Sequence, residues 1–134
     1  MNTVAKFKLK NYAFNEVHIK YNNEASNELN IQFNPKGEFS HLDSVFHLHM
    51  EFTAQNSEDD FIKVSCEAVY EFTESILLDN IPSYFYANSI AILFPYIRAF
   101  ISTVTLQSNI PPLILPTLNL SSLAEVLKKN TNVK

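Results

Sequence analysis

The chain has 134 residues and a net charge of −4, with charged side chains at 18% and aromatic side chains at 13%. This length and composition predict one domain, residues 1–134, with a modest core, and they exclude a disordered chain. The negative charge gives nucleic-acid binding no electrostatic support. A lone cysteine cannot form an internal disulfide, and the first residues lack the apolar core of a signal peptide, so we expect a cytoplasmic protein.

The first strand is predicted over residues 5–21, where apolar and polar residues alternate. The apolar residues begin at odd positions, move to even positions at Tyr12 and Phe14, and then return to odd positions. A bulge or bend near Asn11 or Asn15 would bring all of them to one face.

Three further strands are indicated by alternation over residues 29–33, 46–54 and 62–72. Asn34–Gly37, which holds the only glycine, is predicted to form a turn with a positive φ. Short connections between consecutive strands favour an antiparallel meander with one dry face, which needs a cover.

A long helix is predicted to supply that cover, because apolar residues recur at three- and four-residue spacing over 90–104. Ser89 is expected to cap its start, and Pro95 to bend the helix or confine it to a late start. The predicted fold is therefore α+β: a four-stranded antiparallel meander sheet with a long helix and a short C-terminal helix packed on one face.

A proline-rich crossover over residues 110–120 is predicted to lead into the short helix, capped by Ser121 or Ser122. The apolar window 84–104 is long enough for a membrane span. Arg98 near its middle would cost roughly 3 kcal/mol at a bilayer centre, so we expect no membrane insertion.

Catalytic chemistry has little support in this sequence. His47 and His49 share a strand face with no ligand set beside them, and Cys66 falls in phase with apolar residues, where a thiol is buried and inert. One glycine cannot form a phosphate-binding loop. We therefore predict no enzyme, no catalytic or metal-binding residue and no cofactor.

The block Ile92–Tyr96, reading Ile-Leu-Phe-Pro-Tyr, is followed at fixed offsets by Arg98, Pro111, Leu113, Leu115 and Asn119. This pattern resembles the SecB family of export chaperones. The resemblance implies helices on one side of a four-stranded antiparallel sheet. It also implies a homotetramer, a dimer of dimers with the main helices between two eight-stranded sheets, and grooves that bind unfolded polypeptides.

Carried over by position, the resemblance implies a client-binding groove built from the second strand, the crossover and the terminal helix. Its residues would be Leu29, Ile31, Phe33, Ile110, Pro111, Leu113, Leu115, Leu123, Val126 and Leu127. For Leu113 and Leu115 a place in the core stays open as an alternative. Glu16 and Glu67 match acidic positions with which the family docks the motor ATPase SecA, whereas Lys20 reverses the charge expected at a third position.

The function expected from this resemblance is an ATP-independent holdase that serves protein export. The chain ends in a short basic segment, Lys128–Lys134, where export members carry an acidic tail. This departure admits a second role, that of a dedicated chaperone for the antitoxin of a toxin–antitoxin–chaperone system. A hot-dog-fold thioesterase is a distant alternative. In that fold the helix usually precedes most of the strands, whereas here the predicted helix follows all four strands. A non-chaperone assembly protein, whose apolar surface is used up by oligomer contacts, is another.

Overall fold

The structure is a computed structural model that describes residues 6–21, 29–56, 61–110, 113, 115 and 118–134. These residues form an α+β fold in which four long strands precede both helices, as expected. The elements in chain order are β1 (Phe7–Lys20), β2 (Asn30–Ser40), β3 (Val45–Gln55), β4 (Phe61–Phe72), a 3-10 turn (Leu78–Asn80), α1 (Ser83–Gln107), α2 (Leu120–Lys129) and β5 (Thr131–Val133).

The strands form one mixed sheet in the order β1-β4-β3-β2-β5. β2, β3 and β4 make an antiparallel meander, but β1 pairs with β4, and β5 pairs in parallel with β2. The predicted four-stranded antiparallel meander is therefore wrong in two respects. Alternation along a strand identifies its faces but not its neighbours, and a strand of three residues such as β5 is too short to show an alternating pattern.

β1 keeps one apolar face because it carries two bulges. Its register with β4 shifts at Lys10 and again at Asn15, which confirms the predicted irregularity at both candidate places. Each extra residue moves the alternation by one position. Tyr12 and Phe14 consequently pair with Ala68 and Cys66, whose side chains are buried on the inner face.

The core lies between α1 and the inner face of β3 and β4. The side of α1 that meets the sheet repeats every four residues, with two extra members in its first turns. Its buried residues are Phe85, Tyr86, Ser89, Ile90, Leu93, Ile97, Ile101 and Thr105.

An aromatic cluster anchors the first turn of α1. The ring of Phe85 is fully buried, and its centroid lies 4.7 to 5.7 Å from those of Phe7, Phe46, Tyr70 and Phe72. Such edge-on and tilted pairs add about 0.5–1.5 kcal/mol each beyond the burial of their area. The cluster joins residues from three strands to the helix.

The predicted cap of α1 is wrong. The helix begins at Ser83, so Ser89 is not its cap but a buried interior residue, whose hydroxyl donates to the Tyr86 carbonyl at 3.0 Å. The Ser89 carbonyl accepts a hydrogen bond from the Tyr70 hydroxyl. Pro95 lies inside the helix, so the late start that it was expected to impose is wrong, whereas the alternative, a bend at Pro95, stays a prediction.

α2 is also capped differently from the prediction. Its N-cap is Asn119, whose side-chain oxygen accepts from the Ser122 amide at 3.1 Å, rather than Ser121 or Ser122. The positive charges of Lys128 and Lys129 in the last turn stabilise the negative end of the helix dipole.

The predicted turn at Asn34–Gly37 is absent, because β2 runs straight through these residues. Gly37 has no positive φ; the chain instead turns between β2 and β3 at a segment ending in Ser44, whose φ is 52°. A Cβ atom at Gly37 would overlap the ring of Phe46 and would lie 2.6 Å from the hydroxyl oxygen of Thr131. Close approach, not turn geometry, therefore requires glycine here.

By length and composition α1 could cross a membrane, although the core helix of a soluble protein passes the same test. One side of α1 packs on the sheet, as described above. The expectation of no membrane insertion rests on the cost of burying Arg98 and stays a prediction.

We predict that Gly37→Ala lowers the melting temperature. The added methyl group must displace Phe46 or Thr131, and such overpacking typically costs about 1–3 kcal/mol. Thermal denaturation followed by circular dichroism measures the effect. Lys36→Ala, at the exposed neighbouring position, is the matched control and should melt as the unmodified protein does. Equal melting temperatures for all three proteins would show that the site has room.

Candidate functional site

The candidate site lies on the inner face of the sheet, where α2 packs against β2 and against α1. α2 is amphipathic and presents three different environments. Leu127 is fully buried, Leu123 is half-buried, and Val126 is 39% exposed. α2 thus uses one leucine as core and leaves an apolar margin beside it.

β2 supplies the second wall of the site. Leu29, Ile31 and Phe33 are half-buried and pack against the core, while the side chains between them are neutral amides that are exposed. The ring of Phe33 lies 5.3 Å from that of Phe52 and 6.0 Å from that of Phe94. This wall is therefore apolar, aromatic and free of charge.

Arg98 borders this aromatic wall. Its guanidinium carbon lies 4.8 Å from the centre of the Phe94 ring, an arrangement typical of a cation–π contact. Phe94 and Arg98 were not among the predicted groove residues. The sequence could have indicated this pair. Arg98 is the only charged residue between Asp79 and Glu125, and it lies one helical turn after Phe94.

The crossover residues separate into surface and core. Ile110 and Leu113 are half-buried, whereas Leu115 is 9% exposed and belongs to the core cluster. Pro111 lies outside the described residues. Of the alternatives left open by the sequence, Leu115 takes the core position in this chain and Leu113 reaches the surface.

The structure places eight of the nine described groove residues in or against one core, and the ninth, Val126, is exposed on α2. Their role in client binding stays a prediction. Two of the nine, Leu115 and Leu127, are buried beneath the site. The other seven leave apolar area accessible, and we call them the β2–α2 surface: Leu29, Ile31, Phe33, Ile110, Leu113, Leu123 and Val126.

A second apolar surface lies on the side of α1 that is away from β2, next to the inner face of β1. Tyr12, Val17, Ile92 and Tyr96 are each about 40% exposed, and we call them the β1–α1 surface. The rings of Tyr12 and Tyr96 lie 4.5 Å apart. Ile92 and Tyr96 are four residues apart and therefore share one face of the helix.

The outer face of the sheet is polar and carries Glu16. The Lys63 ammonium bonds the Glu16 carboxylate at 2.9 Å and lies 3.8 Å from that of Glu51. The hydrogen bond and charge of Lys63 hold the pKa of Glu16 below the usual range, while those of Glu16 raise the pKa of Lys63. Glu16 therefore stays ionised at neutral pH, with its charge balanced by a lysine of the same chain.

Glu67 lies on the same outer face, since it pairs across the strands with Ala13 and His49. Its carboxylate is 3.4 Å from Nδ1 of His49 and is largely exposed. Both predicted SecA-docking acids thus share a face, as the resemblance required, but each already has a partner within the chain. Their role in partner binding stays a prediction.

Within the described ranges, side chains with catalytic potential do not converge on the candidate site. Cys66 is 1% exposed, and burial raises the pKa of its thiol to about 11, so the nucleophilic thiolate is disfavoured. Among the described residues, no group of three or more His, Cys, Asp or Glu side chains could hold a metal ion.

Solved structures similar to this fold include a SecB-like chaperone and a protein of unknown function. The Mycobacterium tuberculosis Rv1957 SecB-like chaperone, in complex with a ChAD peptide from the Rv1956 HigA1 antitoxin, superimposes with a TM-score of 0.68 at 16% identity. The match covers 84% of this chain and 88% of that one. A Streptococcus agalactiae protein of unknown function gives a TM-score of 0.51 at 14% identity, covering 86% and 100% of the two chains.

Sequence comparison identifies one relative and a family. The relative is the uncharacterized protein MJ0357 of Methanocaldococcus jannaschii, 40% identical over 75 residues, which are 53% of this chain. The match spans 48% of the length of that relative. The family model described as preprotein translocase subunit SecB matches residues 4–130. Because this match covers nearly the whole chain, the protein belongs to the SecB family.

Proposed function

We propose that the protein is an ATP-independent chaperone that holds unfolded polypeptides on the β2–α2 surface. The observation that carries the proposal is the set of partly accessible, uncharged apolar side chains that β2, the crossover and α2 supply, among them Phe33, Leu113 and Val126. Membership of the SecB family, which is not enzymatic, and the antitoxin peptide bound to the M. tuberculosis neighbour support it.

The chemistry of this surface suits clients of varied sequence. Half-buried Leu, Ile and Phe side chains gain free energy from any apolar segment that covers them, at roughly 25 cal/mol for each Å² removed from water. Aromatic side chains of a client can also pack against Phe33 and Phe94. No described acid or base on this wall would select a particular client charge, apart from Arg98 at its border.

The β1–α1 surface is proposed to be covered in a homotetramer. It exposes tyrosine, isoleucine and valine side chains that a folded single chain leaves in water. Its position on the far side of α1 would place the helices of neighbouring copies against each other. This use leaves the β2–α2 surface free for clients.

The pathway that the chaperone serves has two candidates. Protein export with SecA is the first, in keeping with the description of the family. A dedicated antitoxin chaperone is the second. It is favoured by the ion pair of Glu16 with Lys63 and the contact of Glu67 with His49 within the chain, and by the antitoxin peptide on the structural neighbour.

We predict that Leu113→Ser combined with Val126→Ser weakens the capture of an unfolded protein by about tenfold or more, since each apolar anchor is worth on the order of 1–2 kcal/mol. Both side chains are partly exposed, so the melting temperature should fall little. Capture is measured by how strongly each variant suppresses the aggregation of a chemically denatured test protein.

The control is Leu42→Ser, because Leu42 is 97% exposed in the turn after β2, away from the proposed site. It should leave capture unchanged. Leu115→Ser, by contrast, should lower stability, since Leu115 is in the core. If the double variant captured as well per folded molecule as the Leu42 control, the client surface would lie elsewhere.

We predict that light scattering gives a mass of four chains, and that Tyr96→Glu reduces this mass while the far-ultraviolet circular dichroism is kept. The introduced carboxylate would lose its hydration in an apolar contact between copies. Leu77→Glu, at a position that is 60% exposed before α1, is the control and should stay tetrameric. A monomeric unmodified protein at micromolar concentration would contradict the tetramer.

We predict that Glu67→Lys leaves folding and client capture intact. If the protein serves export, the variant should bind SecA more weakly, with a loss that shrinks as salt is raised, because exposed charges mainly steer association. Surface plasmon resonance at two salt concentrations is the measurement. Absence of SecA binding by the unmodified protein, together with tight binding of an antitoxin encoded beside it, would favour the antitoxin role.

A further inference from the structure

β5 occupies part of the free edge of β2. The Gly37 amide donates to the Asn130 carbonyl at 3.1 Å, and the Phe39 carbonyl accepts from the Lys134 amide at 2.9 Å. Within a strand, the N–H and C=O groups of one residue point to one side and those of the next residue point to the other. The odd-numbered residues of β2 therefore present their backbone groups to this edge.

The same edge continues past β5 into the proposed client-binding surface. The pairing of β2 with β3 is unbroken from Asn30 to Ser40, so Ile31 and Phe33 also direct their backbone groups to the β5 side. Pro35, between the two parts of the edge, has no N–H to offer. β5 is the described element on this side of β2, and it reaches only Gly37 to Phe39.

β5 is held weakly for an element of this fold. It pairs over three residues, and Asn132 and Val133 are exposed. The Lys134 ammonium lies 3.7 Å from the Glu38 carboxylate, but both side chains are largely in water, where such pairs contribute little. Short, exposed elements of this kind open far more often than the whole domain unfolds.

β5 is joined to α2 without an intervening loop. Asn130 is the C-cap of α2, and the Thr131 hydroxyl donates to the Leu127 carbonyl at 2.6 Å. The seating of β5 on β2 therefore fixes the end of α2 that buries Leu127. Detachment of β5 would leave that end held by side-chain packing alone.

We propose that residues 131–134 form a clasp, a resident strand that competes with an extended client segment for the edge of β2 and holds α2 closed over the client surface. The inference rests on the proposed chaperone function. An arriving polypeptide pairs first beside Ile31 and Phe33. Release of the clasp then lengthens the available edge to Phe39 and lets α2 move away.

A matched pair of proline variants tests the clasp. Since the Asn130 carbonyl and the Lys134 amide both face β2, the even-numbered residues of this segment point their backbone groups at β2 and Val133 points away. Asn132→Pro removes a bond to β2, whereas Val133→Pro removes an N–H that faces away from it. We expect Asn132→Pro to capture unfolded protein about threefold to tenfold more tightly, a factor that one net hydrogen bond can supply. Val133→Pro should capture as the unmodified protein does.

A reversible lock supplies the opposite test. Glu38 and Asn132 are directly paired, and neighbouring strands lie about 4.8 Å apart, within the range that a disulfide spans. Glu38→Cys with Asn132→Cys, once oxidised, should capture several-fold more weakly, and a reductant should restore capture. Oxidised and reduced forms have one sequence, so altered folding of the variant affects both.

Hydrogen exchange separates failure of the clasp from failure of the proposed function. In Asn132→Pro, the Gly37 amide and the amides at the end of α2 should exchange faster than in Val133→Pro. If neither the unmodified protein nor any variant captures unfolded protein, the proposed function is wrong. If the amides at the end of α2 exchange slowly in Asn132→Pro, the clasp is wrong whatever the outcome of the capture assays. Normal capture that neither the lock nor Asn132→Pro changes would overturn the clasp alone.

Discussion

The packing of one side of α1 on the inner face of β3 and β4 is the interaction on which the other features depend. It orders the Phe85 cluster, keeps Pro95 within a helix and directs the opposite side of the helix outward. Because α1 is apolar almost all round, covering one side necessarily leaves apolar side chains on the other. The β1–α1 surface is the direct result of that constraint.

The sheet imposes a second constraint through its order. With β1 beside β4 and β2 at the other side, the two apolar surfaces lie at opposite margins of α1. Oligomer contacts and client contacts can then use different residues of one small domain. The meander order expected from the sequence would have placed β1 beside β2 and brought the two surfaces together.

Local patterns in the sequence were sufficient where a single chain segment determines the structure. The phase changes around Tyr12 and Phe14 predicted the bulges of β1, and the alternation of β3 and β4 predicted their buried faces. Several predictions that depended on contacts between segments were wrong. Gly37 suggested a turn, because its real cause, the ring of Phe46, belongs to another strand.

The candidate site shows the same division. The resemblance to the SecB family predicted the three walls of the surface, but the sequence could not rank their leucines by depth. Leu113 and Leu115 look alike in a proline-rich crossover, yet Leu115 lies in the core and Leu113 at the surface. Depth depends on which core residues each leucine meets in the fold, and no local pattern records those contacts.

The order of elements along the chain has a consequence for biosynthesis. Phe7 pairs with Phe72, so β1 and β4 must pair across a long separation in the sequence. Because α1 ends at Gln107, the inner face of the sheet stays uncovered until most of the chain has left the ribosome. Ribosomes add about 5–20 residues each second, and non-local strand pairing is slow in comparison with helix formation. During that interval the nascent chain exposes the bare inner face of its own strands. A protein proposed to shield unfolded chains is thus itself, while being made, a chain of the kind it would bind.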